Sequence, residues 1–283
     1  MINQLINGLV YGGLLVILSS GLVLIFGLRQ VVNFAHGAFY TLGAYVALSV
    51  SAFVGFWGAL AAAFVALSVV GIALDRFCFR PLQNRPHAVV LIITFGLFLI
   101  VTDLVQLVWG RESYSLLPPP DFTGPVDVFG TPYPVYRLVV LALAVVAAVA
   151  LQAWLRLTRI GLHARAAATD IVATGIQGVN TDRVGALVVG VGCGLAGLAG
   201  AAAAPLLALT PSMGDAIIID SFVVMVIGGL GSFGGSIVAA ALLGQIQAFG
   251  AVYMPSLTTL LPFVLMAAVL VIRPTGLAGA RIS

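Results

Sequence analysis

The 283-residue chain is 61% hydrophobic and 7% charged, against about 45–50% apolar and about 25% charged in soluble domains. No soluble core of this size hides so much apolar surface, so lipid is the expected solvent for most of the chain. Lysine is absent and Glu112 is the one glutamate, which excludes a P-loop ATPase on this chain, because that phosphate loop requires a lysine. A net charge of +3 spread over twelve arginines is too thin for nucleic acid. The two cysteines, Cys78 and Cys193, have no CxxC or histidine-rich partner and read as buried free thiols, with no metal site.

About twenty apolar residues cross a bilayer as a helix, and on that measure the chain divides at its charges, prolines and glycines. Residues 1–7 carry no basic side chain, and the apolar run behind them is too long for a signal-peptide core; it reads as a retained first span, Leu5–Leu28. Span 2 is Phe34–Phe53, span 3 Trp57–Phe77 and span 4 Val89–Trp109. A proline-rich polar loop, 110–136, precedes span 5, Arg137–Leu155. A charged segment, 156–183, leads to span 6, Val184–Leu209. Ala216–Ile227 is short for a crossing and reads as a half-helix or re-entrant piece, tolerated only against protein or a watery cavity. A glycine cluster, Gly228–Gly235, separates it from the last spans, Ser236–Tyr253 and Leu257–Ile272. The fold class is therefore an all-α polytopic membrane protein with eight or nine transmembrane helices, organised as a single domain over residues 1–283.

If nine segments cross, Arg29, Arg76, Arg80, Arg85, Arg156, Arg159, Arg165, Arg183, Arg273 and Arg281 share one side. Arg111 and Arg137 fall on the other, with Glu112, Asp121, Asp127, Asp215 and Asp220. The positive-inside rule then places the C-terminus and segment 156–183 in the cytoplasm, and the N-terminus and loop 110–136 in the periplasm.

Polar residues inside so apolar a chain require a reason. Asn33 and His36, three apart at the start of span 2, read either as an N-cap with a headgroup-level histidine or as a helix entry facing an aqueous path or another subunit. Thr94 and Thr102 in span 4 read as back-bonded packing residues, and Asp103 as a carboxylate near the outer interface. The glycine cluster has no lysine and no preceding strand, so it is not a phosphate loop; a tight turn and a hinge beside the permeation path both fit it. Gly192, Gly194, Gly197 and Gly200 give span 6 a small-residue face suited to close helix packing. The alanine-rich run from Arg159 to Ile176 predicts a short helix ended by Gly175. Held outside the bilayer, with Ala166, Ile171, Ala173 and Ile176 as apolar contacts and Arg165 and Asp170 at the edges, it looks made to dock onto another protein rather than to lie on lipid.

Taken together, six motifs in order resemble the inner-membrane permeases of ABC importers for branched-chain amino acids, the LivH type. They are Val32-Asn33-Phe34-Ala35-His36-Gly37 with Gly43-Ala44-Tyr45, Arg80-Pro81-Leu82, Ile93-Thr94-Phe95-Gly96-Leu97, the Gly161–Gly175 stretch with Arg165-Ala166, Ile227 through Gly235, and Arg273-Pro274-Thr275-Gly276-Leu277. The resemblance implies a multi-pass protein of the bacterial inner membrane that is not itself an enzyme. Its implied partners are a second permease subunit (a related paralogue favoured over an identical copy), two cytoplasmic ATPases that carry ATP-Mg, and a periplasmic substrate-binding protein. It makes the cytoplasmic helix a coupling helix, with Arg159, Gly161, Arg165, Ala166, Asp170 and Gly175 facing or shaping the ATPase contact. The substrate-path candidates are Asn33, His36, Thr41, Thr94, Gly96, Gly228, Gly229 and Gly231. Some family members carry an acidic residue after the His-Gly pair where this chain has Ala38, so no role for that carboxylate transfers. The family also carries urea, short amides and aromatic acids, and an ATP-independent transporter or channel is the rival class.

Overall fold

A computed structural model describes residues 1–83, 85–128 and 130–278. The chain is almost entirely helical. Helix α1 (Ile2–Arg29) ends where Gln30 turns left-handed at φ 53° and returns its N–H to Phe26 O. Helix α2 (Ala35–Leu74) is interrupted at Gly55, whose φ of 70° no side chain adopts readily. Ala47 of its first arm and Ala59 and Ala63 of its second pack in one cluster with Ala201. The chain therefore doubles back at Gly55, and the two arms correspond to expected spans 2 and 3. A π-helical turn (Asp75–Phe79) and a short α3 (Arg80–Leu82) extend the second arm.

Helix α4 (His87–Trp109) and α5 (Val135–Leu157) are long and apolar. Between them lies an antiparallel hairpin, β1 (Pro125–Val128) paired with β2 (Thr131–Pro134), so the chain is not purely helical. Proline-rich segments resist helix and suit a two-stranded edge. The hairpin is tied to the start of α1: Thr131 Oγ1 donates to Asn3 Oδ1 at 3.0 Å and Tyr133 Oη to Asn7 Oδ1 at 2.7 Å.

Two short helices, α6 (Arg159–Thr169) and α7 (Ile171–Ile176), precede α8 (Thr181–Ala203). Expected span 6 is cut short: Pro205 has no N–H to continue the ladder, and Leu209 instead exchanges backbone hydrogen bonds with Tyr114. Helix α9 (Met213–Gly228), α10 (Phe233–Tyr253) and α11 (Leu261–Ile272) complete the fold. At 1.5 Å per residue, the 16 residues of α9 and 12 of α11 span about 24 and 18 Å, less than the ~30 Å hydrocarbon core.

Helix α8 is the hub. Its small residues were expected to form one face, but they ring the helix. Gly192 lies against Gly21 and Ile25 of α1, Gly194 and Gly197 against the second arm of α2, and Gly200 against Tyr40 and Ala44 of the first. A methyl group at Gly192 would come within 2.8 Å of the Gly21 carbonyl oxygen, so glycine sets the interaxial distance there.

The termini of the helices sort into two ends. At one, Arg29 and Asp75 form a bidentate pair at 2.7 and 2.6 Å with both side chains 1% exposed, and Arg80 pairs with Asp182. Segment α6–α7, the glycine cluster and the C-terminal turn gather there too, with Leu277 N donating to Ile227 O at 2.8 Å. Nine of the ten arginines assigned to one side lie at this end; Arg281 lies outside the described residues. Arg111 and Arg137 lie at the opposite end with the hairpin and an aromatic group of Tyr45, Trp109 and Tyr114. Arg29, one of the arginines assigned to the cytoplasmic side, is buried in its ion pair. Of the two free thiols, Cys193 is buried, whereas Cys78 is only half-buried.

Candidate functional site

The segment between α5 and α8 is built by caps. Thr158 Oγ1 accepts from Gly161 N at 3.0 Å to start α6. Gly161 is required because a side chain there would collide with the Trp154 carbonyl and with Leu155. The single helix expected over 159–175 is in fact two, because Asp170 takes an extended conformation and its Oδ1 accepts from both Val172 N and Ala173 N at 2.9 Å. A carboxylate capping the next turn ends one helix and starts another. Gly175 lies inside α7 rather than ending it; Gly178, at φ 84°, makes the left-handed exit.

The inner edge of α6, Ala164 and Ala167, packs on Leu28, Val184 and Val188. Arg159, Arg165, Ala166, Asp170 and Gly175 are exposed, and only Gly161 of the six coupling residues is buried. The apolar side chains of α7 point outward: Val172 is 68% and Ile176 82% exposed. This leaves an aliphatic pair bare on a capped helix at the arginine-bearing end. Arg165 and Ala168 also border a cavity of about 100 Å³ shared with Gly27 and Leu28 of α1 and with Gly231 and Phe233. The structure thus brings one coupling residue and one glycine-cluster residue to the same small void.

The glycine cluster is a tight turn. Gly229 and Gly231 have φ values of 96° and 81°, and Ser232 Oγ caps α10 by accepting from Gly235 N at 3.2 Å. Gly228 packs directly on Gly235 and Ser236, and its carbonyl accepts from Ala278 N at 3.2 Å.

Asn33, His36, Thr41 and Thr94 are all buried in the protomer. Asn33 does not cap α2; neither amide atom has a hydrogen-bond partner among the described residues. His36 Nε2 lies 2.9 Å from Leu18 O, while its Nδ1 has no partner among the described residues. Thr41 Oγ1 donates to Gly37 O at 3.3 Å and packs on Gly214. Thr94 Oγ1 reaches Val32 O at 3.3 Å and Leu91 O at 3.1 Å, fastening α4 to the turn before α2. Phe34 closes this region between Phe95, ring centroids 6.2 Å apart, and Phe222, 4.9 Å apart. Gly96 sits one face away, with nothing within 4 Å of the position a Cβ would take. Asp103 is exposed.

One cluster escaped the sequence reading. Asp220, grouped with the outer charges, is 6% exposed. Tyr11 Oη donates to its Oδ2 at 2.5 Å, and Gln247 Nε2 lies 3.4 Å from the same oxygen. All three line a cavity of about 500 Å³ among α1, α9, α10 and α11. The signal was present: Asp220 interrupts an apolar run, Ala216–Ile227, that has no other charge. None of the eight path candidates lines this cavity.

The family described as branched-chain amino acid transport system, permease component, matches residues 4–270. The chain belongs to that family. It is 28% identical to the high-affinity branched-chain amino acid transport system permease protein LivH of Escherichia coli K12, over 98% of this chain and 95% of that one. The same identity, 28%, over 98% of this chain and 95% of the relative, links it to BraD of Pseudomonas aeruginosa, described in the same terms. Among solved structures, PsaBC from Streptococcus pneumoniae in complex with Fab shares the fold, with a TM-score of 0.51 at 12% identity over 95% of this chain and 91% of that one. This permease is therefore a multi-pass transport subunit of a branched-chain amino acid transport system and not its ATPase, which agrees with the missing phosphate-loop lysine. A permease component implies an ATPase and a binding protein as partner subunits.

Proposed function

We propose that this chain is half of the membrane-spanning path of an ATP-driven importer for branched-chain amino acids, working by alternating access in the inner membrane. The arginine-bearing end faces the cytoplasm, as the positive-inside rule requires, and the hairpin end faces the periplasm and receives substrate from a binding protein. The second half of the path is a related permease subunit. ATP-Mg is held by two cytoplasmic ATPase subunits, and it supplies the free energy that draws them together.

The reading is carried by one observation: α6 and α7 are doubly capped, seated on α1 and α8, and bare on their outer apolar side. Force applied to α7 passes through Ala164 and Ala167 to the ends of α1 and α8. Arg165 and Gly231 border one small void, which puts the turn between α9 and α10 beside the same segment. The buried Arg29–Asp75 pair fixes α1 to the π-helical extension of α2 at the same level, so the α6–α7 segment moves with α1, α2 and α8 as one lever.

The test is reconstitution of the complete transporter in liposomes, with ATP hydrolysis and leucine uptake measured together. Replacing Val172 or Arg165 with tryptophan is expected to abolish uptake and its stimulation of ATP hydrolysis while the permease still assembles in the membrane. Coupling that survives both substitutions removes the docking role.

A further inference from the structure

We propose that the cavity at Asp220 binds the primary ammonium group of an amino acid during its passage, an inference that rests on the amino-acid substrate proposed above. Among the described residues two helical carboxylates, Asp75 and Asp220, are buried, and they are treated differently. Asp75 receives a bidentate guanidinium at 2.7 and 2.6 Å. Asp220 receives only two neutral donors, Tyr11 Oη and Gln247 Nε2, both on Oδ2. Its Oδ1 has no hydrogen-bond partner, and no cation pairs with it among the described residues. A buried carboxylate is costly unless a positive charge offsets it, and here the place of that charge is a cavity of about 500 Å³, within the ~300–1,000 Å³ range of small-molecule sites.

The lining specifies the ligand class. Ile219, Ala248, Val252 and Phe263 give hydrocarbon walls, and Gln4 and Asn7 of α1 contribute amides. A divalent metal site of oxygen ligands draws on carboxylates as well as neutral oxygens; here one carboxylate stands beside the neutral groups of Gln4, Asn7, Tyr11, Gln247, Thr258 and Thr259, and no group of three acidic, histidine or cysteine side chains exists among the described residues. An ammonium brings three donors to an oxygen that lacks one, and an aliphatic side chain fills the rest. The same geometry repels the deaminated acid, which would set two carboxylates together. Tyr11 and Gln247 position the carboxylate by holding Oδ2, leaving Oδ1 for the ligand.

Ala216 lies one helical turn before Asp220 and also lines the cavity. In the complete transporter carrying Cys78→Ser and Ala216→Cys, labelling by cationic and anionic methanethiosulfonates of similar size reads the local charge. The cationic reagent is expected to react about tenfold faster, and millimolar leucine to slow it where 4-methylpentanoate does not. Asp220→Asn should equalise the two reagents and remove the protection; Tyr11→Phe, which keeps the carboxylate, should retain the cationic preference. Equal rates with Asp220 present, equal protection by the deaminated acid, or protection that survives Asp220→Asn would each overturn the assignment. Leucine uptake by the same preparation reports separately on the transport function, so a transporter that works without charge-selective labelling refutes this site alone.

Discussion

Helices α4 and α8 each have 23 residues and each is apolar enough to cross a membrane, yet they live in opposite surroundings. Most of α8 is buried, whereas in α4 only Val90, Thr94 and Val105 are, among the side chains described. The more hydrophobic of the two is the more exposed. In water the reverse would hold. In lipid, large aliphatic side chains lose nothing by facing outward, and close packing is driven by small residues that let backbones approach. The leucines, isoleucines and phenylalanines of α4 therefore mark a face toward lipid or a partner subunit, and the glycines and alanines of α8 mark the protein interior.

That contrast breaks or holds under a graded set of substitutions. Gly200→Leu forces a side chain into the Tyr40 backbone and is expected to cost well over ~3 kcal/mol, seen as loss of monodisperse protein on size exclusion. Gly96→Leu on α4, with open space around it, should leave the protomer's thermal midpoint within a few degrees; a comparable loss at both sites would erase the distinction. Arg29→Met alone strands a buried aspartate and should cost about 3–5 kcal/mol, while Arg29→Met with Asp75→Leu should recover most of it, by thermal unfolding in detergent. At the periphery, Asp170→Ala removes the cap of α7 for about 1 kcal/mol. Its signature is a local one, faster hydrogen exchange at Val172 and Ala173, with the global midpoint hardly moved. Tyr136→Phe removes a 2.7 Å hydrogen bond to Ala202 O at the far end of α8 and should cost about 1 kcal/mol.

Much of the architecture was legible in the residues. Apolar run length placed the long helices to within a few residues, since a hydrophobic stretch has few alternatives in a bilayer. The break between Phe53 and Trp57 was legible, and the structure puts its turn at Gly55; the glycines of span 6 were legible as packing residues. What failed depended on local competition. One carboxylate, Asp170, split the expected coupling helix, and Pro205 ended α8 early. The proline-rich loop folded its β-hairpin onto the start of α1. Asn33 does not cap α2; its buried amide has no hydrogen-bond partner among the described residues.

Composition and span length determined that this chain is a polytopic membrane protein without a phosphate-loop lysine of its own, because those properties depend on solvent and charge and need no knowledge of neighbours; its likeness to importer permeases was carried by six motifs in order. The tertiary structure decided which helix is central, which carboxylate is paired and which is left open. Arg29 lies 46 positions from Asp75 and Tyr11 lies 209 from Asp220. No local pattern encodes such meetings; they exist only once the glycines of α8 have drawn the helices together.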